Sequence, residues 1–251
     1  MTAELLGGTR GCAEKDRSEA MTEFFDAQGR EAVSANAELG GAHGIYSMTD
    51  GSVAGFTDPT NVICFAAGTL IDTPNGRVAV EALRPGDPVM TADEGAQPVR
   101  WAGKSLVAGV GDLAPVEILP GGRLTVDRPL LVSPQHRMLV DDYTAQLVFG
   151  AEEVLVPAGD LVDGKKIRRV ERPLMTYVHL MLDRHQVIYA EGAPTESFHP
   201  AGDGLCSLGP AARAALFRAF PDLRDNPDAY GEVARPCARP HETKVMQALA
   251  A

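Results

Sequence analysis

The chain is short of positive charge: 23 lysines and arginines stand against 34 aspartates and glutamates, a net charge of −11 at pH 7. A balance of that sign argues against a phosphate-backbone footprint, so nucleic acid and anionic membrane surfaces are not expected partners. No apolar run approaches the ~20 residues that cross a bilayer, and no membrane span is expected. The first residues, Met1-Thr-Ala-Glu-Leu-Leu-Gly-Gly, have neither a basic segment nor a long apolar stretch, so no cleaved secretory leader is expected. The same features fit the cytoplasm or export without a classical signal peptide. The four cysteines, Cys12, Cys64, Cys206 and Cys237, include no Cys-x-x-Cys pair, which excludes a zinc ribbon and a thioredoxin-like motif. In a chain without a leader they are expected as reduced thiols.

What is present divides the 251 residues into three stretches. Residues 1–61 are rich in Gly, Ala, Ser and acidic side chains, and read as a partly ordered N-terminal arm. Ser18 is placed to cap a helix over Glu19–Ala27, whereas the stretches Leu39–Tyr46 and Asp50–Phe56 read as loop. From 62 to 200, short apolar runs alternate with turn clusters such as Pro74-Asn-Gly, Arg84-Pro-Gly-Asp-Pro and Leu119-Pro-Gly-Gly. That spacing predicts one all-β body rather than βαβ units. Expected strands include Gln97–Ala102, Leu130–Val132, Arg137–Val140, Gln146–Phe149, Lys166–Val170, Met175–Leu182 and Gln186–Tyr189, with Trp101 as a core anchor. Residues 201–251 form a helical C-terminal extension, with Pro210 at a first helical position and a last helix from His241 to Leu249. Its apolar stripes read as packing faces against the β body.

Within the β body, Val62-Ile-Cys-Phe-Ala-Ala-Gly-Thr-Leu-Ile-Asp-Thr-Pro-Asn-Gly-Arg77 places Cys64 ahead of a strand, a small-residue corner and a hairpin. Two further segments bring titratable groups to strand ends, where sites are commonly built. Ser133 and His136 sit on a turn between apolar strands; His179 lies in a strand and His185 at the turn after it. Each has a plain structural reading as well. Cys64 fits as a small buried hydrophobe, Ser133 as a turn residue bonding its own backbone, and the strand histidines as packing residues with a polar tip.

These segments resemble the Hint module, the self-processing domain shared by inteins and hedgehog C-terminal domains, and in particular bacterial Hint-domain proteins beginning Cys-Phe-Ala-x-Gly-Thr. Cys64-Phe-Ala-Ala-Gly-Thr matches the first block, Ser133-Pro-Gln-His136 the Thr-x-x-His block with serine for threonine, and Tyr177–Gly192 the late strand block. There His179 stands where inteins usually carry an acidic residue. The resemblance implies an all-β, horseshoe-like fold with pseudo-twofold halves.

It also implies autoproteolysis: the Cys64 thiol attacks the Ile63 carbonyl, giving a thioester that water or another nucleophile resolves. In that scheme His136 is the general acid and the hydrogen-bond partner of the Cys64 nitrogen, Ser133 assists at the scissile bond, and His179 or His185 helps resolve the thioester. The cis substrate would be the chain's own N-terminal arm; the acceptor nucleophile is unspecified and no cofactor is implied. Zinc on His136, His179 and His185 lacks a close-spaced ligand pair. Splicing is not expected, since Ala190–Pro200 holds no His-Asn pair. The alternatives are a non-cleaving Hint module serving as a β scaffold or interaction domain, and a cysteine hydrolase acting in trans, which needs an open pocket at Cys64.

Overall fold

A computed structural model describes residues 63–200, 204–205 and 208–250, together with two strands at 45–49 and 52–54. The expected helix after Ser18, Cys12 and Cys206 lie outside the described residues. All described elements belong to the unit His43–Ala251. They begin with β1 (Ile45–Thr49) and β2 (Ser52–Ala54), an antiparallel pair where loop was expected. The sequence there carries Ile45, Tyr46, Thr49 and Val53, residue types that favour the extended pleat, on either side of an Asp-Gly dipeptide that joins hairpins.

The unit that starts at Cys64 follows as β3 (Phe65–Ala66), β4 (Leu70–Thr73) and β5 (Gly76–Ala79). Next come β6 (Pro88–Thr91), β7 (Gly95–Pro98), the nine-residue β8 (Trp101–Gly109), β9 (Val116–Ile118), β10 (Leu130–Val132) and β11 (Arg137–Val140). Helix α1 (Tyr143–Phe149) precedes β12 (Val154–Pro157), β13 (Ile167–Arg169), the ten-residue β14 (Arg172–Met181), β15 (Val187–Ala190) and β16 (Ala193–Glu196). Helices α2 (Pro210–Ala219) and α3 (Pro240–Ala250) close the chain.

Two antiparallel sheets result. One runs β13-β9-β10-β3-β14-β8-β1-β2; the other runs β12-β11-β16-β15-β4-β5, with the β6–β7 hairpin attached to β15. The chain changes sheets between β3 and β4 at the corner Ala67-Gly68. Gly68 has φ +91°, a conformation that a side chain strains, so the small-residue corner is a backbone requirement. Strand β14 lies between β3 and β8 and is buried on both faces from Tyr177 to Met181. Val178 and Leu180 point into the main core with Phe65, Leu130 and Ile188, whereas Tyr177, His179 and Met181 face the other way. A slip of one residue would put His179 in that apolar core and take its ring from the Ile63 carbonyl, so the register is fixed by which face can hold a polar ring.

Two expected strands are corrected. Gln146–Phe149 belongs to α1, because Asp142 accepts a hydrogen bond from the Thr144 nitrogen at 2.9 Å and Gly150 closes the helix at φ +65°. Gln97–Ala102 is not continuous: β7 ends at Pro98 and β8 starts at Trp101. Both C-terminal helices pack on the β body, α2 through Ala212 and Leu216 and α3 through Met246. No helix among the described residues is long and apolar enough to cross a membrane.

Candidate active site

The site follows from strand register. Phe65 of β3 pairs with Val178 of β14 on one side and with Val132 of β10 on the other. In an antiparallel ladder the next residue back on one strand faces the next one on along its neighbour. Cys64 therefore falls between His179 and Ser133, and His179 in turn pairs with Gly103 of β8. Four segments far apart in sequence meet in one row across a sheet: Ser133, Cys64, His179, Gly103.

Hydrogen bonds tie the row together. The Cys64 N–H donates to Ser133 Oγ at 2.9 Å, and the Ser133 N–H donates to the Cys64 carbonyl at 3.0 Å. On the other side His179 Nδ1 lies 2.9 Å from the Ile63 carbonyl oxygen. A carbonyl only accepts, so Nδ1 carries the proton and Nε2 is the bare nitrogen. Cys64 Sγ is 3.2 Å from both ring nitrogens. A sulfur equidistant from the two cannot lie in the ring plane without overlapping Cε1, so it sits over the ring face.

Burial sets the protonation states. Cys64 is completely buried, and the loss of water pushes its thiol well above the ordinary range. Burial lowers His179 to about 4, with the Ile63 carbonyl opposing, so the ring is neutral at pH 7. A protonated thiol thus lies beside a neutral imidazole. Full burial also removes the open pocket that a hydrolase acting in trans requires.

His136 is also fully enclosed and lowered to about 4 by burial, and its ring packs on Phe65 at 4.4 Å. Thr195 Oγ1 spends its proton on the Arg137 carbonyl at 2.9 Å, so toward His136 Nε2 it is the acceptor. His136 Nδ1 is then unprotonated, and it has no hydrogen-bond partner. The expected bond from His136 to the Cys64 nitrogen is corrected: the Ser133 hydroxyl occupies that place, because the β3–β10 register puts Ser133 directly opposite Cys64.

His185 lies apart from the row. Its Nδ1 accepts from the Ala234 N–H at 2.9 Å, and its Nε2 donates to the Ser197 carbonyl at 3.1 Å and lies 3.3 Å from Glu196. Glu196 is fully buried and also accepts from the Arg137 backbone at 2.8 Å and from its guanidinium at 3.1 Å. Both ring nitrogens of His185 are committed, and the group ties the C-terminal extension to β16. Among the described residues no three His, Cys, Asp or Glu side chains converge on a metal position, and Cys64 and Cys237 are free thiols.

Sequence reasoning missed several neighbours. Trp101, expected only as a core anchor, lies 6.0 Å from the His179 ring and 5.7 Å from Phe198, and Phe198 meets His179 edge-on at 5.2 Å. Gly103 makes room for that indole: a Cβ there would fall 2.3 Å from Trp101 Cη2. Thr195, which fixes the His136 tautomer, stood in a stretch read only for its lack of His-Asn. No local signal marks Gly103 or Thr195, because each acts through a cross-strand neighbour.

Solved structures with a similar fold include a bacterial intein-like domain from Clostridium thermocellum, 17% identical, covering 53% of this chain and 96% of that one at a TM-score of 0.37. The gp41-1 intein is 18% identical, covering 53% and 96% at 0.34, and the MchDnaB-1 intein is 20% identical, covering 52% and 98% at 0.34. A search of curated proteins finds no match. The Hint domain family model matches residues 63–202, more than half of the chain and all four residues of the row, and the chain belongs to the Hint domain family.

Proposed function

We propose that this chain is a self-processing Hint domain that cleaves itself before Cys64 through a thioester, without splicing. The observation that carries the reading is the single histidine serving both partners of an acyl shift. His179 Nδ1 holds the Ile63 carbonyl oxygen at 2.9 Å while Cys64 Sγ rests 3.2 Å from the same ring. Holding the thiol and the carbonyl oxygen on one ring replaces a bimolecular encounter with a positioned one.

The chemistry runs as follows. Nε2 of His179 takes the thiol proton as Sγ bonds to the Ile63 carbonyl carbon. The imidazolium so formed strengthens the Nδ1–H bond to the oxygen on which negative charge develops. The carbon–nitrogen bond then breaks, and the proton passes from His179 to the nitrogen of Cys64, which Ser133 Oγ steadies. The products of this step are an Ile63–Cys64 thioester and a free amine on Cys64. Water, or another nucleophile, attacks the thioester carbon and returns the thiol. His136, with its bare Nδ1, is offered as a second proton acceptor, whereas His185 is assigned a structural part. The raised thiol makes the first transfer uphill, so the shift is slow and favours alkaline pH.

Intact-mass spectrometry of fresh protein, with and without dithiothreitol or hydroxylamine, tests the reading. The expected result is a fragment beginning at Cys64 that accumulates with either nucleophile and is absent from Cys64→Ala and His179→Ala. Complete burial of a protonated Cys64 favours the second reading, a non-cleaving Hint module used as a scaffold. A full-length mass that never changes would leave that reading standing.

A further inference from the structure

We infer that the C-terminal extension completes an acyl-donor pocket around Ile63, and that this pocket selects a branched aliphatic residue before Cys64. The inference rests on the cleavage reading and extends it to the substrate side chain. Ile63 would be the last residue of the released segment, yet it is only 8% exposed. Its apolar cluster draws Trp101, Met181 and Phe198 from the β body and Leu208, Leu216 and Tyr230 from beyond residue 200. The walls carry no charged side chain, and the Tyr230 hydroxyl is engaged, donating to the Leu182 carbonyl at 3.0 Å. A charged side chain at position 63 would be buried without a counter-charge.

The extension is fastened rather than draped. His199 Nε2 donates to the Gly231 carbonyl at 3.1 Å, the Leu155 N–H donates to the Pro236 carbonyl at 2.8 Å, and the Ala238 N–H donates to the Leu155 carbonyl at 2.9 Å. The pocket also shares walls with the base, since Trp101 and Phe198 flank His179 at 6.0 and 5.2 Å. A side chain that fills the pocket therefore sets the carbonyl against His179, and one that does not lets it drift. Displacements of about 1 Å cost rates up to a hundredfold in positioned reactions. The shift itself leaves the Ile63 side chain in place: Sγ replaces nitrogen on the carbonyl carbon, and the thiol proton ends on that nitrogen.

The test compares dithiothreitol-triggered cleavage of the full chain with that of Ile63→Val, Ile63→Gly, Leu216→Ala and Leu216→Met, with Leu147→Ala as a surface control. Circular dichroism would confirm that each variant is folded. Alkylation of Cys64 by iodoacetamide serves as a readout independent of cleavage. Ile63→Val, Leu216→Met and the control are expected within about threefold of wild type. Ile63→Gly and Leu216→Ala are expected to cleave more than tenfold more slowly while Cys64 alkylates more than tenfold faster. Cleavage of Leu216→Ala at the wild-type rate would overturn the inference while the cleavage reading survived. A wild-type chain that never cleaves would overturn the cleavage reading and the selecting role with it. Alkylation unchanged in Leu216→Ala would then also remove the enclosure.

Discussion

Ser133 accepts a hydrogen bond from the nitrogen that leaves in the proposed shift, and no water reaches it, since Ser133 and Cys64 are both fully buried. Ser133→Ala strands that N–H at a cost of about 1–3 kcal/mol. The expected outcome is a melting temperature lowered by several degrees and cleavage slowed on the order of tenfold, with Ser133→Thr recovering most of both. Equal cleavage by Ser133→Ala and wild type, followed by intact mass, would remove Ser133 from the reaction path. At this scale the sequence was informative about residue type and poor about contact. Cys64, Ser133, His136 and His179 could all be named from their segments. Which of them touches the Cys64 nitrogen is decided by a register that only the folded sheet sets.

At the scale of elements, β8 and β14 carry the site between them. Trp101, Gly103, Ser105 and Val107 of β8 are buried alternately along one face, which is the face of Tyr177 and His179 on β14. The absent side chain at Gly103 holds the space into which the Trp101 indole folds. Gly103→Ala forces that ring aside, and overpacking of this kind typically costs about 1–3 kcal/mol. Because the chain has one tryptophan, its fluorescence reports the displacement directly. We expect a shifted emission maximum and cleavage slowed more than tenfold at a temperature where the variant remains folded. An unchanged spectrum would mean that the ring does not lean on this glycine. Helix α1 shows the limit of run-based reading: Gln146-Leu-Val-Phe has strand-forming residues, but Asp142 and Gly150 supply the start and stop of a helix. A pass for caps would have found it, whereas β1 and β2 needed the edge of β8 to pair against.

Over the whole molecule, two buried histidines make stability depend on pH. His136 and His179 each fall from 6.5 to about 4, mainly through burial. In that window the unfolded chain binds more protons than the folded one. The contribution is therefore complete above pH 6.5 and is lost as pH falls through 4. A shift of that size is worth on the order of 3 kcal/mol per group. Thermal melts should be flat from pH 7 to 8 and drop steeply between pH 6 and 4, with a shallower fall in His136→Gln. A wild-type melt equally stable at pH 7 and 4.5 would contradict the enclosure of both rings.

The amino-acid sequence by itself determined the β character of the central stretch, through short apolar runs between Gly-Pro-Asn turns, and the family of the segment that begins at Cys64, through the resemblance of its first block. Tertiary structure decided the rest. It placed Ser133 and His179 on opposite sides of Cys64, sent His185 into a structural network, and folded the C-terminal extension over Ile63. The physical reason is common to all three. Turns and apolar periodicity are local properties of the chain. Cross-strand neighbours and the walls of a buried pocket are fixed only when distant segments exclude water from one another.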